Sequence, residues 1–236
     1  MAIITISRGS MSGGEALARC LADTLGYPTL GREVLVEATA RLGVPEEVLR
    51  EKIQTRAGHV ERLATDRHVY LVGLQSTLAH RCVSGDLIYH GTAGQSLPKD
   101  VPNVRRVRLI AAMAMRVRAV MERQGLSAEA AQDYIRYVDQ ESIQWTKFAY
   151  GVDWRDPRNH DLVINLQRIS LEGACAMVAG ILGTLAYATT EEVKKKLQDF
   201  ALACRVKVAL VAKSKRHSIQ FDVRAENGKV QVSGTG

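Results

Sequence analysis

Aromatic residues and long apolar segments are scarce in this chain of 236 residues. Only 5% of the residues are aromatic, and no basic tract alternates with aromatic side chains. Single-stranded nucleic acids bind to rings stacked along a positive groove, so we expect no nucleic-acid partner. No uninterrupted apolar segment reaches the roughly 18 residues of a membrane helix, and no basic region precedes the short N-terminal apolar run. We therefore expect a cytoplasmic protein with no signal peptide.

Clustered cysteines are also missing. Cys20, Cys82, Cys175 and Cys204 lie far apart and form no C-x-x-C pair. This spacing argues against structural zinc and a disulfide framework, and it suits a reducing compartment. The formal net charge of +7 favours anionic ligands such as nucleotides or acidic lipid headgroups. With 46% hydrophobic residues, the chain is long enough for one α/β domain and a small appendage.

Residues 3–16 have the layout of a phosphate-binding loop between a strand and a helix. In the pattern G-x-x-x-x-G-K-[ST], glycines let backbone N–H groups surround phosphates and the lysine reaches the transferred group. Gly9 and Gly14 keep this spacing, but Glu15 and Ala16 replace the final pair. The predicted cofactor-binding residues are Gly9, Ser10, Met11, Ser12, Gly13, Gly14, Glu15 and Ala16.

Glu15 has two interpretations. In the first, it faces the phosphates, where a unit charge at about 4 Å and an effective dielectric near 20 is worth on the order of 4 kcal/mol of repulsion. In the second, it forms a surface i,i+4 ion pair with Arg19. The glycines are similarly ambiguous, because a tight turn alone would also require them.

Strands alternate with helices over the following residues. Apolar or alternating segments at 86–90, 104–110 and 161–165 predict strands, and Ser127 is a suitable N-cap for a helix to about Tyr150. Small residues follow the strand that ends at His90, as at the carboxyl ends of parallel strands that bind ligands. We predict a three-layer α/β fold, a parallel sheet with helices on both faces.

A change in composition after residue 187 predicts a second unit. Thr190 is a suitable cap for a charged helix, and a second helical stretch is expected over 201–213. Alternating residues on both sides of Asn227-Gly228 predict a β-hairpin. The predicted domains are residues 1–187 and a small α+β unit over residues 190–236.

The order of these motifs resembles the cytidylate kinase-like branch of the nucleoside monophosphate kinases. The resemblance covers residues 1 to about 186, and it rests on S-R-G-S-M-S-G-G, G-Y-P-T-L-G-R-E, H-G-T-A-G-Q, R-V-R-A-V-M-E-R-Q-G and Y-G-V-D-W-R-D-P with D-L-V-I-N. It implies a P-loop core and a mobile lid. It also implies phosphoryl transfer from ATP, with Mg²⁺, to a nucleoside monophosphate that is CMP-like.

The same resemblance suggests roles for individual residues. Arg8 presents a guanidinium fork suited to phosphate, Arg116 would be a lid contact, and Asp153 would hold Mg²⁺ through water, so these three are the predicted catalytic residues. A solvent-facing side chain is the alternative for both arginines. A packed histidine is the alternative for His90, and a turn role is the alternative for Asp153. No cluster for direct metal ligation is expected. The predicted substrate-side residues are Arg32, His90, Gly91, Thr92, Gly94 and Gln95.

Several positions depart from the family pattern. Glu15 replaces the usual basic residue, and Gly31 stands where an aspartate often precedes Arg-Glu. Arginines are expected after Asp139, but residues 140–142 are Gln, Glu and Ser. Catalysis of phosphoryl transfer depends on cations at the site. Two functions therefore stay open beside the enzyme: a catalytically impaired nucleotide-binding regulator, and a peripheral membrane or assembly adaptor.

The tail resembles the first half of a BON domain, a module associated with phospholipid or envelope-surface binding. The resemblance rests on C-R-V-K-V-A-L, I-Q-F-D-V-R and E-N-G-K-V-Q-V-S-G. A hairpin with one helix buries too little apolar surface to be stable alone. We expect it to dock on the larger domain, to form a homo-oligomer or to be a remnant. An acidic membrane or a protein is the expected partner of its lysines, and a solvated basic face is the alternative.

Overall fold

The computed structural model describes residues 2–31, 34, 37–38, 60–91, 94, 97, 101, 103–182, 190–214 and 220–235. Its helices and strands are numbered here in order along those residues. They are β1 (Ile3–Arg8), α1 (Gly14–Leu25), β2 (Thr29–Leu30), α2 (Val60–Val83), β3 (Leu87–His90), β4 (Val104–Ile110), α3 (Met113–Gln124), α4 (Ala128–Tyr150), β5 (Leu162–Asn165), α5 (Leu171–Leu182), α6 (Glu191–Lys213), β6 (Gln220–Glu226) and β7 (Lys229–Thr235).

Five strands form a parallel sheet in the order β2-β3-β1-β4-β5. β1 lies at its centre, with Ile3 opposite Leu87 of β3 and Val104 of β4. Ile3 and Ile4 are fully buried, because a central parallel strand is covered on both faces. The sheet has helices on both faces, as predicted from the alternation of strands and helices.

The main core of the sheet lies beneath α1 and α5. Leu17 and Leu21, one helical turn apart on α1, are fully buried against it, together with Val178 of α5. A smaller cluster joins α3 and α4 through Val120, Ala131 and Ile135. The hydroxyl of the predicted N-cap Ser127 accepts the N–H of Ala130 at 3.2 Å, so α4 begins where the sequence indicated.

The described chain divides into two compact units. The first comprises Met1–Gly31, Asp86–Gln95 and Pro102–Ala188, and the second comprises Arg32–Gly85, Ser96–Val101 and Thr189–Gly236. The predicted division into residues 1–187 and 190–236 stays a prediction. Among the described helices, none combines the length and the apolar character needed to cross a membrane.

Within the second unit, α2 and β6 both pack against α6. The hydroxyl of Thr190 caps α6 as predicted, accepting the N–H of Val193 at 3.3 Å. One continuous helix replaces the two expected stretches, because neither Gly nor Pro interrupts residues 191–213.

The predicted hairpin is present as β6 and β7. Its turn residues Asn227 and Gly228 have φ angles of 53° and 75°. Both values are typical of an Asn-Gly hairpin turn. The carboxylate of Asp199 on α6 accepts the N–H groups of both residues at 2.8 Å.

Candidate functional site: the loop after the first strand

The loop between β1 and α1 adopts the strand–loop–helix geometry that the glycine spacing predicts. Gly13 is the N-cap of α1 with φ of 83°, a left-handed conformation that favours glycine. Met11 is also left-handed, at φ of 54°, and the Ser12 N–H donates to the Gly9 carbonyl at 3.2 Å. The start of α1 therefore presents backbone N–H groups and the positive end of the helix dipole.

Two arginines lie against glycines of this loop. A Cβ atom on Gly14 would lie 2.7 Å from Cγ and Cδ of Arg8, and one on Gly9 would lie 3.0 Å from Nη2 of Arg116. Glycine is thus needed for these close approaches as well as for the turn. Burial lowers the pKa of the Arg8 guanidinium, although an arginine stays charged. The predicted catalytic residues Arg8 and Arg116 are therefore both at the loop.

Asp139 of α4 binds the same loop, which the sequence did not indicate. Its Oδ1 accepts the Ser10 N–H at 2.7 Å, and its Oδ2 accepts from Nη2 of Arg116 at 2.7 Å. Arg116 Nε donates to the Ser10 carbonyl at 2.6 Å. The side chains of Arg116 and Asp139 are 10% and 21% exposed, so water screens this ion pair little.

A cavity of about 540 Å³, here called the cradle cavity, opens over the loop. Three cations face it, Arg8, Arg19 and Arg123, together with the carboxylates of Glu15 and Asp139. Its volume is in the range of small-molecule sites. Its full lining is Arg8, Ser10, Met11, Ser12, Gly13, Gly14, Glu15, Ala16, Arg19, Ala119, Arg123, Val138, Asp139 and Ser142.

Glu15 forms surface ion pairs at the rim of this cavity. Its carboxylate lies 3.5 Å from Arg19 and 3.7 Å from Arg123, and its side chain is 54% exposed. The predicted i,i+4 pair with Arg19 is therefore present. Arg19 and Arg123 place positive charge beside the cavity, where the usual P-loop lysine is absent.

A second cavity of about 330 Å³, here called the arginine cavity, adjoins the other side of the loop. Gly9 lies in its wall, whereas Ser12 and Asp139 line both cavities. The arginine cavity is lined by Gly9, Ser12, Arg108, Leu109, Ile110, Ala111, Met113, Arg116, Arg136, Asp139, Gln140, Ile143, Trp154 and Arg155.

Asp153, the third predicted catalytic residue, lines neither cavity. Its carboxylate lies 2.7 Å from Arg155 and 3.8 Å from Lys147, and it also accepts the backbone N–H of Arg155. Hydrogen bonding to Arg155 holds the pKa of Asp153 well below its usual range. The catalytic role of Asp153 stays a prediction.

The substrate side is described in part. The ring of His90 lies against Gly31, where an added Cβ would be 2.6 Å from Cε1 of His90. The aspartate that the family often has at this position would collide with that ring. A Cβ on Gly91 would meet the Tyr89 hydroxyl, and one on Gly94 would lie 3.0 Å from Thr5. The predicted substrate residues Arg32, Thr92 and Gln95 lie outside the described residues.

The residues of the site fit the phosphates of ATP better than they fit Mg²⁺. Backbone N–H groups, three arginines and a roomy cavity suit the phosphates of ATP. For the metal, the described residues contain no group of three or more His, Cys, Asp or Glu able to hold an ion. Ala16 has no hydroxyl to offer a metal ion. The carboxylates that line the cradle cavity are those of Asp139 and Glu15. Mg²⁺ would therefore depend mainly on phosphate oxygens and water.

A known family and a known fold match this chain. The sequence profile of the cytidylate kinase-like family matches residues 3–168. An uncharacterized protein from Eubacterium ventriosum has 22% sequence identity and a TM-score of 0.59, over 77% of this chain and 97% of its own. Shikimate kinase from Bacteroides thetaiotaomicron has 13% identity and a TM-score of 0.47, over 78% and 99%. At 22% identity the likeness to the Eubacterium ventriosum protein is one of fold alone. No curated protein sequence matches the chain.

Proposed function

The chain belongs to the cytidylate kinase-like family, and on that basis we propose that it binds Mg²⁺-ATP and transfers a phosphoryl group to a nucleoside monophosphate, with CMP as the first candidate. One observation carries the proposal: the loop at Gly9–Gly14 opens into a 540 Å³ cavity lined by three arginines. Oxyanions bind to N–H groups at a helix N-terminus and to guanidinium forks.

In this proposal each part of the loop has a role. The N–H groups from Gly13 to Ala16 surround the donor phosphates, with Arg8 beside them, and the Ser10 N–H joins them once Asp139 releases it. Once Arg116 has left Asp139, its guanidinium neutralises the charge that develops on the transferred group. The acceptor lies on the side of His90, with Arg32 and the residues that follow His90. Asp153 would contribute to Mg²⁺ binding through water only after releasing Arg155.

A nucleotide-binding regulator is the second candidate, and a specific observation favours it. Asp139 occupies the N–H group of Ser10 and pairs with Arg116, so two phosphate-binding groups of the loop are already engaged. With glutamate at position 15, the loop carries negative charge where an active enzyme would carry positive charge. Such a protein would bind nucleotide without turnover.

One experiment separates these candidates. The purified protein is incubated with Mg²⁺-ATP and each nucleoside monophosphate in turn, diphosphate formation is measured, and nucleotide binding is followed by calorimetry. Turnover supports the enzyme, and binding without turnover supports the regulator. Absence of both contradicts nucleotide binding altogether.

A pair of variants locates the nucleotide site. Arg8→Met removes a cation from the cradle cavity. Arg118→Met removes the same charge from an exposed position of α3 that lines neither cavity. ATP binding should weaken about tenfold in the first variant only, because a hydrogen bond to a charged group contributes roughly 1.5–3 kcal/mol.

The tail and the location complete the proposal. We expect the protein to act in the cytoplasm, where the four free cysteines stay reduced. Residues 190–236 are proposed as a partial BON-like unit whose basic side chains meet an acidic membrane or a protein partner, or as a contact between copies of the chain. Liposome binding and oligomeric state, measured with and without these residues, test this part.

A further inference from the structure

The arginine cavity has more positive charge than its carboxylates neutralise. Arg108, Arg116, Arg136 and Arg155 line it, and Asp139 is the one acid among the described lining residues. Asp139 is already paired with Arg116. The cavity wall therefore has an unbalanced positive charge at the carboxyl end of β4, the edge of a parallel sheet at which ligands bind.

Arg108 is the least compensated of these arginines. Arg155 has Asp153 as its partner, and exposed Arg136 has Asp133 at 3.9 Å. No carboxylate of the described residues lies within ion-pair distance of Arg108. Its Nε is buried without a hydrogen-bond acceptor among the described residues. Asp153 attracts this guanidinium only from beyond ion-pair distance. Because Arg108 has lost water at Nε without gaining a direct partner there, an anion bound beside it would stabilise the protein.

Trp154 holds Arg108 in place. The guanidinium carbon lies 5.0 Å from the centroid of the Trp154 ring, and Nη1 donates to the Trp154 carbonyl at 3.2 Å. Trp154 is 5% exposed, and its indole Nε1 is also buried without a partner in the described part of the chain. A stacked arginine on a central strand is preorganised for an anion, because little side-chain entropy remains to be lost.

We propose that the arginine cavity is a second phosphate site, in which Arg108, stacked on Trp154, binds the phosphate group of a small molecule. Its volume of about 330 Å³ admits a phosphate with a small attached group. Because Ser12 and Asp139 line both cavities, this phosphate would lie close to the donor phosphates. Its source is the terminal phosphate of the donor or the phosphate of an acceptor. The identity of this phosphate rests on the proposed function, whereas the existence of the site rests on the geometry alone.

Fluorescence of Trp154 tests the proposal directly. In a Trp145→Phe background, Trp154 is the remaining tryptophan of the chain. The protein is titrated with inorganic phosphate, with CMP and with ATP. We expect a saturable change in the Trp154 emission, because an anion at Arg108 alters the field over the stacked ring. Saturation by CMP at lower concentration than by ATP identifies the acceptor as the source, and the reverse order identifies the donor.

Arg108→Met in the same background should weaken this titration about tenfold, the loss expected for one charge-assisted contact. Arg118→Met, with the same change in net charge outside both cavities, should leave it within about twofold. Equal weakening by both variants, no effect of Arg108→Met, or no saturable signal would overturn the second site. If Arg108→Met does not fold, Arg108→Lys against Arg118→Lys repeats the test with the charge kept and the fork removed.

Calorimetry with ATP distinguishes this failure from that of the proposed function. ATP binding that persists without any Trp154 signal refutes the second site alone. If ATP does not bind but the phosphate titration still depends on Arg108, the nucleotide proposal is refuted and the second site stands.

Discussion

Asp139 accepts the backbone N–H of Ser10 at 2.7 Å, so a carboxylate from α4 occupies part of a loop whose sequence is that of a phosphate cradle. The two residues are 129 positions apart. The same carboxylate pairs with Arg116 at 2.7 Å, which keeps that guanidinium over Gly9. An incoming phosphate must therefore compete with an internal anion for both groups.

Asp139→Asn should tighten ATP binding by about tenfold. The amide oxygen of asparagine can still accept the Ser10 N–H, but the negative charge that opposes phosphate is gone, a difference of a few kcal/mol before screening. The free energy of unfolding should fall by about 1–2 kcal/mol, because the shielded Arg116 loses its charged partner. Calorimetry and thermal denaturation measure the two effects.

Glu129→Gln is the matched control for that change. Glu129 is exposed on the same helix and lines neither cavity, so both affinity and stability should hardly change. Weaker ATP binding in Asp139→Asn would mean that the carboxylate supports the nucleotide site, as a metal ligand would.

Gly13→Ala should abolish most nucleotide binding. At φ of 83° an alanine costs about 1–2 kcal/mol, and its Cβ would lie 3.0 Å from Cδ1 of Leu166. Gly125→Ala is the control, because Gly125 has φ of 68° at the end of α3 with nothing near its Cβ. Both variants should lose similar stability in thermal unfolding. If ATP affinity falls equally in both, the loop geometry is not what binds the nucleotide.

Glu15→Gln should tighten ATP binding about two- to fivefold and change stability by less than about 0.5 kcal/mol, since exposed ion pairs contribute little. The substitution releases Arg19 and Arg123 to face the cradle cavity. Glu122→Gln, an exposed change of the same charge on α3, is the control. The ATP affinity of Glu15→Gln should depend more strongly on salt concentration than that of Glu122→Gln. An unchanged affinity would show that Glu15 has no electrostatic effect on the cradle.

Stability of the first unit should fall as the pH drops below about 6.5, the ordinary pKa of histidine. The Nε2–H of His160 donates to the Trp154 carbonyl at 2.8 Å, and burial lowers the pKa of the imidazole. The unfolded chain therefore takes up this proton first as the pH falls, which favours unfolding. Above about pH 6.5 the imidazole of His160 is mainly neutral in both the folded and the unfolded chain, so its contribution to stability is constant.

Urea unfolding at about pH 7.5 and about pH 5.5, followed by tryptophan fluorescence, measures this dependence. His160→Gln keeps a donor for the carbonyl but cannot titrate, so its pH dependence should be smaller than that of the wild type. His80→Gln, an exposed histidine of the second unit, should leave it unchanged. If stability depends on pH equally in the wild type and in His160→Gln, His160 is not the cause of the dependence.

Local features of the chain were predictable from its sequence. The glycines of the loop, the Ser127 cap, the Asn227-Gly228 turn and the Glu15–Arg19 pair each depend on residues a few positions apart. Backbone dihedral preferences and helical spacing determine such features. The parallel sheet followed as well, because alternating apolar strands and helices permit few other arrangements.

Contacts between distant residues could not be predicted in this way. Asp139 at Ser10 and Arg108 on Trp154 join residues 129 and 46 positions apart. The ring of His90 against Gly31 is a third case. None of these pairs has a local signal, because burial of the whole sheet decides which side chains share the edge beside β1. The sequence by itself determined the glycine loop between β1 and α1 and the parallel sheet that carries it. Only the tertiary structure decided that an aspartate already occupies part of it and that an arginine cavity adjoins it.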